Sequence, residues 1–284
     1  MSKLNQLIPK PLKSPYYKLR EFKNSIVFEL QTRTAKINPQ PILVLGNQKS
    51  GTSAIAALLA EMTDLSVTID LRKEIPNPTY DKIIKGELTF SEFVQLNKLD
   101  FSRDIVKEPN LTLLDRELAE YFPNSDFVFV IRDPRDNIRS ILNRLQLPGN
   151  LTKLESKQCK NMSQAWKLIV DNKWLGLDGE NYIEMLAYRW NFTSDVFLKN
   201  QEKMKLIRYE DFLQDKMGEI ASLAEALKLK PSKDISDKVD IQFQGRGNRE
   251  VKWYQFFGKN NLSRIDEICG ERMRLLNYPL SADG

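Results

Sequence analysis

Eight consecutive residues, Gly46-Asn47-Gln48-Lys49-Ser50-Gly51-Thr52-Ser53, carry the most specific chemistry in this chain. Two glycines, a lysine and three hydroxyl side chains suit a loop that wraps an anion. In the nucleotide-kinase loop G-x-x-x-x-G-K-[ST], the lysine follows the second glycine and reaches the β- and γ-phosphates. Gly46 and Gly51 keep that spacing, but Thr52 stands in the lysine's place and the lysine is Lys49. Backbone N–H groups in such a loop still converge on one point, and a following helix adds positive potential there. Gly51 allows close approach of the backbone, and Thr52 and Ser53 supply further donors.

A second cluster follows the run FVFVI: Arg132, Asp133, Asp136 and Ser140. Metal-dependent nucleotide enzymes place an Asp at the end of such a strand to hold magnesium. Here Arg132 comes first, and its charge would repel a metal and attract a phosphate. The two clusters together describe a nucleotide held by cationic side chains, with no metal required. The chain contains no histidine, and its two cysteines are Cys159 and Cys269. That leaves no basis for a zinc site and removes the usual neutral-pH base. Proton transfer must then use a carboxylate, a lysine, a tyrosine or the substrate itself.

The elements that must position these groups can be read from the sequence. The apolar run before Gly46 predicts a strand buried on both faces, and Ser53–Met62 predicts a helix rich in Ala and Leu. Residues 65–70 and the stretch DIVKEP predict two further short strands, and NLTLLDRELAEYF has helical spacing. Asp126–Arg132 is the clearest buried strand, followed by a helix capped by Asp133 with Pro134 in its first turn. Residues 182–200 predict an amphipathic helix whose aromatic stripe, Tyr188 to Phe197, belongs in the core. MKLIR predicts another strand, residues 214–228 a helix, and LSRIDEICGERMRLL a final helix. Strands alternating with helices give an α/β fold, a three-layer sandwich around a mainly parallel sheet. The segment 143–182 mixes turn and apolar residues and reads as an insertion over the site.

The chain has 284 residues, 41% hydrophobic and 10% aromatic, which favours a globular protein. Its net charge of +5 is uneven. Residues 1–37 hold eight basic residues against Glu21 and Glu29, while the remainder is close to neutral. We read residues 1–37 as a basic extension and 38–284 as one domain. The extension is either a solvated arm or a peripheral contact with an anionic membrane or acidic partner. No apolar run approaches a membrane span, no secretory signal is visible, and two cysteines make no disulfide framework. A cytoplasmic protein without a nucleic-acid partner is the expectation.

KSGTS resembles the phosphosulfate-binding loop of the sulfotransferases that use 3′-phosphoadenosine 5′-phosphosulfate (PAPS). IRDPRDNIRS is similar to that family's second signature, in which an Arg and a Ser eight positions later hold the 3′-phosphate. Arg132 and Ser140 have that spacing. GRGNREVKW resembles the family's late basic-glycine loop through Arg246 and Trp253, with Gly247 replacing the second basic residue and Arg249 nearby. The resemblance spans residues 40–280 and implies a P-loop NTPase-like sulfotransferase fold, with PAPS as co-substrate. It also implies Lys49, Ser50, Gly51, Thr52, Ser53, Arg132, Ser140 and Arg246 as donor ligands. Lys49 would meet charge growing on the leaving phosphate. VKEPNL resembles a segment that places a lysine near the sulfuryl group and a base after it, here Lys107 and Glu108. IDLRKEIP lies where bacterial and carbohydrate-type members place a catalytic Glu, here Glu74, with Asp70 behind it. Glu74 and Glu108 stand as equal candidates for the base, and Lys107 is either a second cation at the sulfuryl group or a salt-bridge partner. The acceptor implied is a hydroxyl of a carbohydrate, glycolipid or small molecule. An ATP-dependent kinase and a non-catalytic nucleotide-binding module are the alternatives.

Overall fold

The computed structural model describes residues 30–160, 162–241 and 251–280. Its centre is a parallel sheet of β1 (Ile42–Gly46), β2 (Val67–Ile69), β3 (Ile105–Lys107), β4 (Phe127–Ile131) and β5 (Met204–Arg208), in the order β2-β3-β1-β4-β5. Around it run α1 (Thr52–Thr63), α2 (Tyr80–Ile84), α3 (Phe90–Leu96), α4 (Asp115–Tyr121) and α5 (Pro134–Leu145). They are followed by α6 (Gln164–Asp171), α7 (Tyr182–Asn200), α8 (Tyr209–Gln214), α9 (Lys216–Ala226) and α10 (Trp253–Leu275).

The strand sequences dictate two apolar faces. Ile42 and Val44 of β1 and Val128 and Val130 of β4 pack with Ile55, Leu58 and Leu59 of α1 and Ile220 and Leu223 of α9. The alternate residues Leu43, Leu45, Phe127, Phe129 and Ile131 face Ile138 and Leu142 of α5 and Trp190 of α7. Both faces being covered explains why these strands read as continuous apolar runs. Phe197 stacks on Phe129 at 5.2 Å between ring centroids, adding about 0.5–1.5 kcal/mol beyond burial. The aromatic stripe of α7 is therefore core, with Trp190 and Phe197 both buried.

β1 lies in the middle, and the chain crosses over it from β3 to β4. In open α/β sheets, ligands bind outside the carboxyl ends of the strands at such a reversal. Register puts Gly46 level with Val130 and Val44 level with Lys107. The loop after β1 is thus flanked by residues just past Ile131 on one side and just past Lys107 on the other.

Several expected elements take a different form. NLTLLDRELAEYF divides into a 3-10 turn, Pro109–Leu114, and α4, because the backbone departs from helical angles at Leu114. The last helix begins earlier than expected, at Trp253, and kinks at Gly258, which holds φ 71°. α2, α3 and α6 were not anticipated; they have five, seven and eight residues, too short for a periodic signal to stand out.

Candidate active site

The loop after β1 is anchored from below. The Gly46 N–H donates to Thr112 Oγ1 at 2.9 Å, and the Thr112 hydroxyl donates back to the Gly46 carbonyl at 3.1 Å. A Cβ on Gly46 would lie 2.3 Å from the Val130 carbonyl oxygen. Gly51 has φ +103°, and a Cβ there would lie 2.3 Å from the Tyr209 ring. Gly51→Ala is therefore expected to cost about 1–3 kcal/mol, read as a lower denaturation midpoint. An unchanged midpoint would show that the loop tolerates another shape. Lys49 also sits in the left-handed region, at φ 67°, an uncommon setting for a non-glycine residue that recurs at functional sites.

Amide side chains knit the loop to its surroundings. Asn137 of α5 donates to the Gln48 carbonyl at 2.8 Å and to Ser50 Oγ at 3.0 Å, and accepts from Asn47 Nδ2 at 2.9 Å. Ser50, expected as a donor ligand, is thus held inside the loop's own scaffold. Behind it lies Arg189 of α7, fully buried. Its guanidinium donates to Asn47 Oδ1 at 3.1 Å, Gln48 Oε1 at 2.8 Å, Asn110 Oδ1 at 2.9 Å and Asn172 Oδ1 at 2.8 Å. Burial pulls the Arg189 pKa down to about 9, opposed by the charge of Glu108.

At the end of β4, Arg132 Nη1 donates to the Lys49 carbonyl at 3.1 Å, and the guanidinium lies 4.7 Å from the centroid of the Tyr209 ring. Its Nη2 is 3.9 Å from Asp136 Oδ2. Asp136 also accepts from Arg139 Nη2 at 2.6 Å and from Trp253 Nε1 at 2.7 Å. Arg139 Nη1 donates to the Val251 carbonyl at 2.6 Å, so the chain leading into α10 is fastened beside α5. Arg246 and Arg249 lie outside the described residues. Asp133 caps α5 as expected, accepting from Arg135 N at 2.9 Å. Glu210 accepts from Asp133 N and from the Tyr278 hydroxyl, both at 2.9 Å, and orients that turn.

Across β1, at the ends of β2 and β3, stand the carboxylates. Lys107 is buried and makes a short ion pair with Asp70. Glu108 is buried, accepting from Asn110 N at 3.0 Å and Leu71 N at 3.2 Å. Burial first and then the charge of Asp70 raise its pKa to about 7, against the pull of Lys107. Glu74 accepts from Thr79 N at 2.6 Å, from the Thr79 hydroxyl at 3.0 Å and from Asn97 Nδ2 at 3.1 Å. Burial raises its pKa as well. Lys49 is pulled down to about 8, by burial first and then by Arg144, Arg132 and Lys107, with Asp70 opposing.

These groups share one cavity of about 680 Å³, lined by Lys49, Gly51, Thr52, Ser53, Asp70, Glu74, Lys107, Glu108, Arg132 and Ser140 among others. Ten of the residues singled out from sequence thus meet in one place. Ser163, Trp166 and Ile169 of the 143–182 segment also line it, as expected of a covering insertion. Arg139, Asn143 and Arg144 line it too and were missed. Their spacing from Asp136, three, seven and eight residues, marks one face of a helix and could have identified them. Arg189 and Asn110 carry no such signal, since only the folded chain brings them to the loop.

A family model described as a sulfotransferase domain matches residues 39–246. Among solved structures, the chain is similar to the sulfotransferase STF9 from Mycobacterium avium, with TM-score 0.56 and 13% identity, covering 92% of this chain and 82% of that one. It is also similar to a sulfotransferase from Alicyclobacillus acidocaldarius, with TM-score 0.50 and 13% identity, covering 85% and 98%. Identities this low speak for the fold. No match to the sequence was found among curated proteins. Among the described residues, no helix is long and apolar enough to cross a membrane.

Proposed function

The chain belongs to the sulfotransferase family, and from that premise we propose that it moves a sulfuryl group from PAPS to a hydroxyl of a carbohydrate, glycolipid or small-molecule acceptor. The observation that carries the choice of donor is the meeting of two cationic clusters. Arg132 Nη1 reaches the Lys49 carbonyl at 3.1 Å, and Ser140 lines the same cavity as the loop. A nucleotide with anionic groups on both sides of its ribose would engage both clusters at once.

In this reading the loop N–H groups, Thr52 and Ser53 hold the 5′-phosphosulfate, while Arg132 and Ser140 hold the 3′-phosphate that ATP lacks. Arg246 remains a proposed further contact. The acceptor oxygen attacks sulfur as the bond from sulfur to the phosphate oxygen breaks, giving a sulfate ester and adenosine 3′,5′-bisphosphate. Lys49 stabilises the charge growing on that phosphate oxygen. Glu108 takes the hydroxyl proton: its raised pKa, near 7, suits a base working at neutral pH. Both carboxylates are held, Glu108 by the Asn110 and Leu71 N–H groups and Glu74 by Thr79 and Asn97; Glu74 is the weaker candidate because the charge of Asp70 acts on Glu108. Lys107, paired with Asp70, holds a carboxylate whose repulsion keeps Glu108 basic. We assign residues 38–284 to this domain and residues 1–37 to a basic extension able to touch an anionic surface.

Adenosine 3′,5′-bisphosphate is expected to raise the melting temperature without magnesium. Arg132→Ala should weaken its binding about ten- to a hundredfold, the worth of one charge-assisted contact. Stabilisation by Mg–ATP alone would instead place the chain among the kinases.

A further inference from the structure

The strand order divides the cavity by charge. β1 and its loop stand in the middle. On the β4 and β5 side the lining cations are Arg132, Arg139, Arg144 and Lys216, against the single carboxylate of Asp136. On the β3 and β2 side the lining charges are Asp70, Glu74 and Glu108 against Lys107 alone. Lys107 is paired with Asp70 and also acts on Glu108, so three lining carboxylates share one lining cation. Of the cations outside the lining, Arg72 faces Asp100, while Lys73 donates to the Leu96 carbonyl and keeps its charge near Glu74. Arg189 is sealed behind Asn110 and does not line the cavity.

Two more features belong to this acidic half. Tyr80 is 1% exposed and lines the cavity beside Glu108, yet its hydroxyl makes no aligned hydrogen bond among the described residues. Asn110 and Glu108 lie close enough to interact with it, and a ligand hydroxyl would complete its bonding. Ile75, Trp166 and Ile169 add an apolar wall. Ile75 follows Glu74 in the chain, and the turn after α6 packs against α2, the helix that begins at Tyr80.

We infer that the acceptor is an uncharged or cationic hydroxyl compound whose carbon skeleton lies against Ile75, Trp166 and Ile169, and that anionic acceptors are turned away. This rests on the sulfuryl-transfer reading and deepens it. Above pH about 7, where Glu108 is ionised, an anion entering this half would meet an excess of carboxylates over cations in a partly desolvated space, where like charges repel. A neutral polyol would find acceptors in the carboxylates and a partner in Tyr80.

The test uses three matched probes that differ only in charge: hexyl β-D-glucopyranoside, its C6 uronate and its 6-amino-6-deoxy counterpart. Each is titrated calorimetrically into the full-length protein, with and without saturating adenosine 3′,5′-bisphosphate. The neutral and amino probes are expected to bind at least about tenfold more tightly than the uronate. Asp70→Asn, which releases Lys107, should narrow that gap, and Trp166→Ala should weaken all three without changing their order. Equal affinities, a preference for the uronate, or no binding by any probe would overturn the inference. Failure of the bisphosphate itself to bind would overturn the donor assignment instead, and the titrations without it would still report on the acidic half.

Discussion

Lys49→Ala is expected to lower kcat by about a hundred- to a thousandfold, the usual loss when a donor aimed at developing charge is removed. The affinity for adenosine 3′,5′-bisphosphate should change only a few-fold. The division follows from which atoms Lys49 uses. Its carbonyl, which every substitution keeps, receives the Arg132 bond that joins the loop after β1 to the end of β4. Its ammonium, which alanine removes, lies among the charges of Arg144, Arg132, Lys107 and Asp70. The left-handed backbone at φ 67° is equally unfavourable for lysine and alanine, so the variant keeps the loop's shape. Steady-state transfer of labelled sulfate, set beside calorimetric binding of the bisphosphate, separates the two effects. Equal small losses in turnover and binding would show that Lys49 is a general anion ligand with no special place at the leaving oxygen.

Glu108→Gln is expected to lower kcat about 10²- to 10⁴-fold, the range for a positioned general base, and to change the pH profile. For the wild type, kcat/KM reports groups of the free enzyme. Glu108 acts when deprotonated, so the rate should rise with pH through about 7. Lys49 acts when protonated, so the rate should fall as pH passes about 8. The result is a narrow bell, and glutamine at 108 should erase its acidic limb. Glu74→Gln is the control that decides between the two carboxylates. If that variant, and not Glu108→Gln, lost the acidic limb, the base would be Glu74.

What could be read from the residues, and what could not, follows from how local each signal is. The strand, loop and helix around Gly46–Ser53 are contiguous, and so are Arg132, its strand and the cap at Asp133. Those pieces were legible because apolar runs, glycine spacing and a Pro after Asp are local facts. The parallel sheet followed from their alternation. The choice between Glu74 and Glu108 was not legible, because it rests on the burial and neighbouring charge that the fold gives each carboxylate. Asn97 of the α3 turn and Thr79 claim Glu74, and no spacing in IDLRKEIP announces either. Ser50 reads as a ligand by type, and only its contact with Asn137, 87 positions away, shows the hydroxyl turned inward. Asp70 as the ion-pair partner of Lys107 was not legible either, because it follows from the register that sets Ile69 beside Lys107.

The guanidinium of Arg189 ties the loop after β1, the strand end beside Glu108 and the cap of α6 to the long core helix α7, through four amide oxygens. The contacts that brace the loop are thus all made by the protein's own side chains. Little ordering then remains to be done at the encounter, so more of the contact energy appears as affinity. On the proposed reading, a loop braced in this way would select its guest by fit and charge.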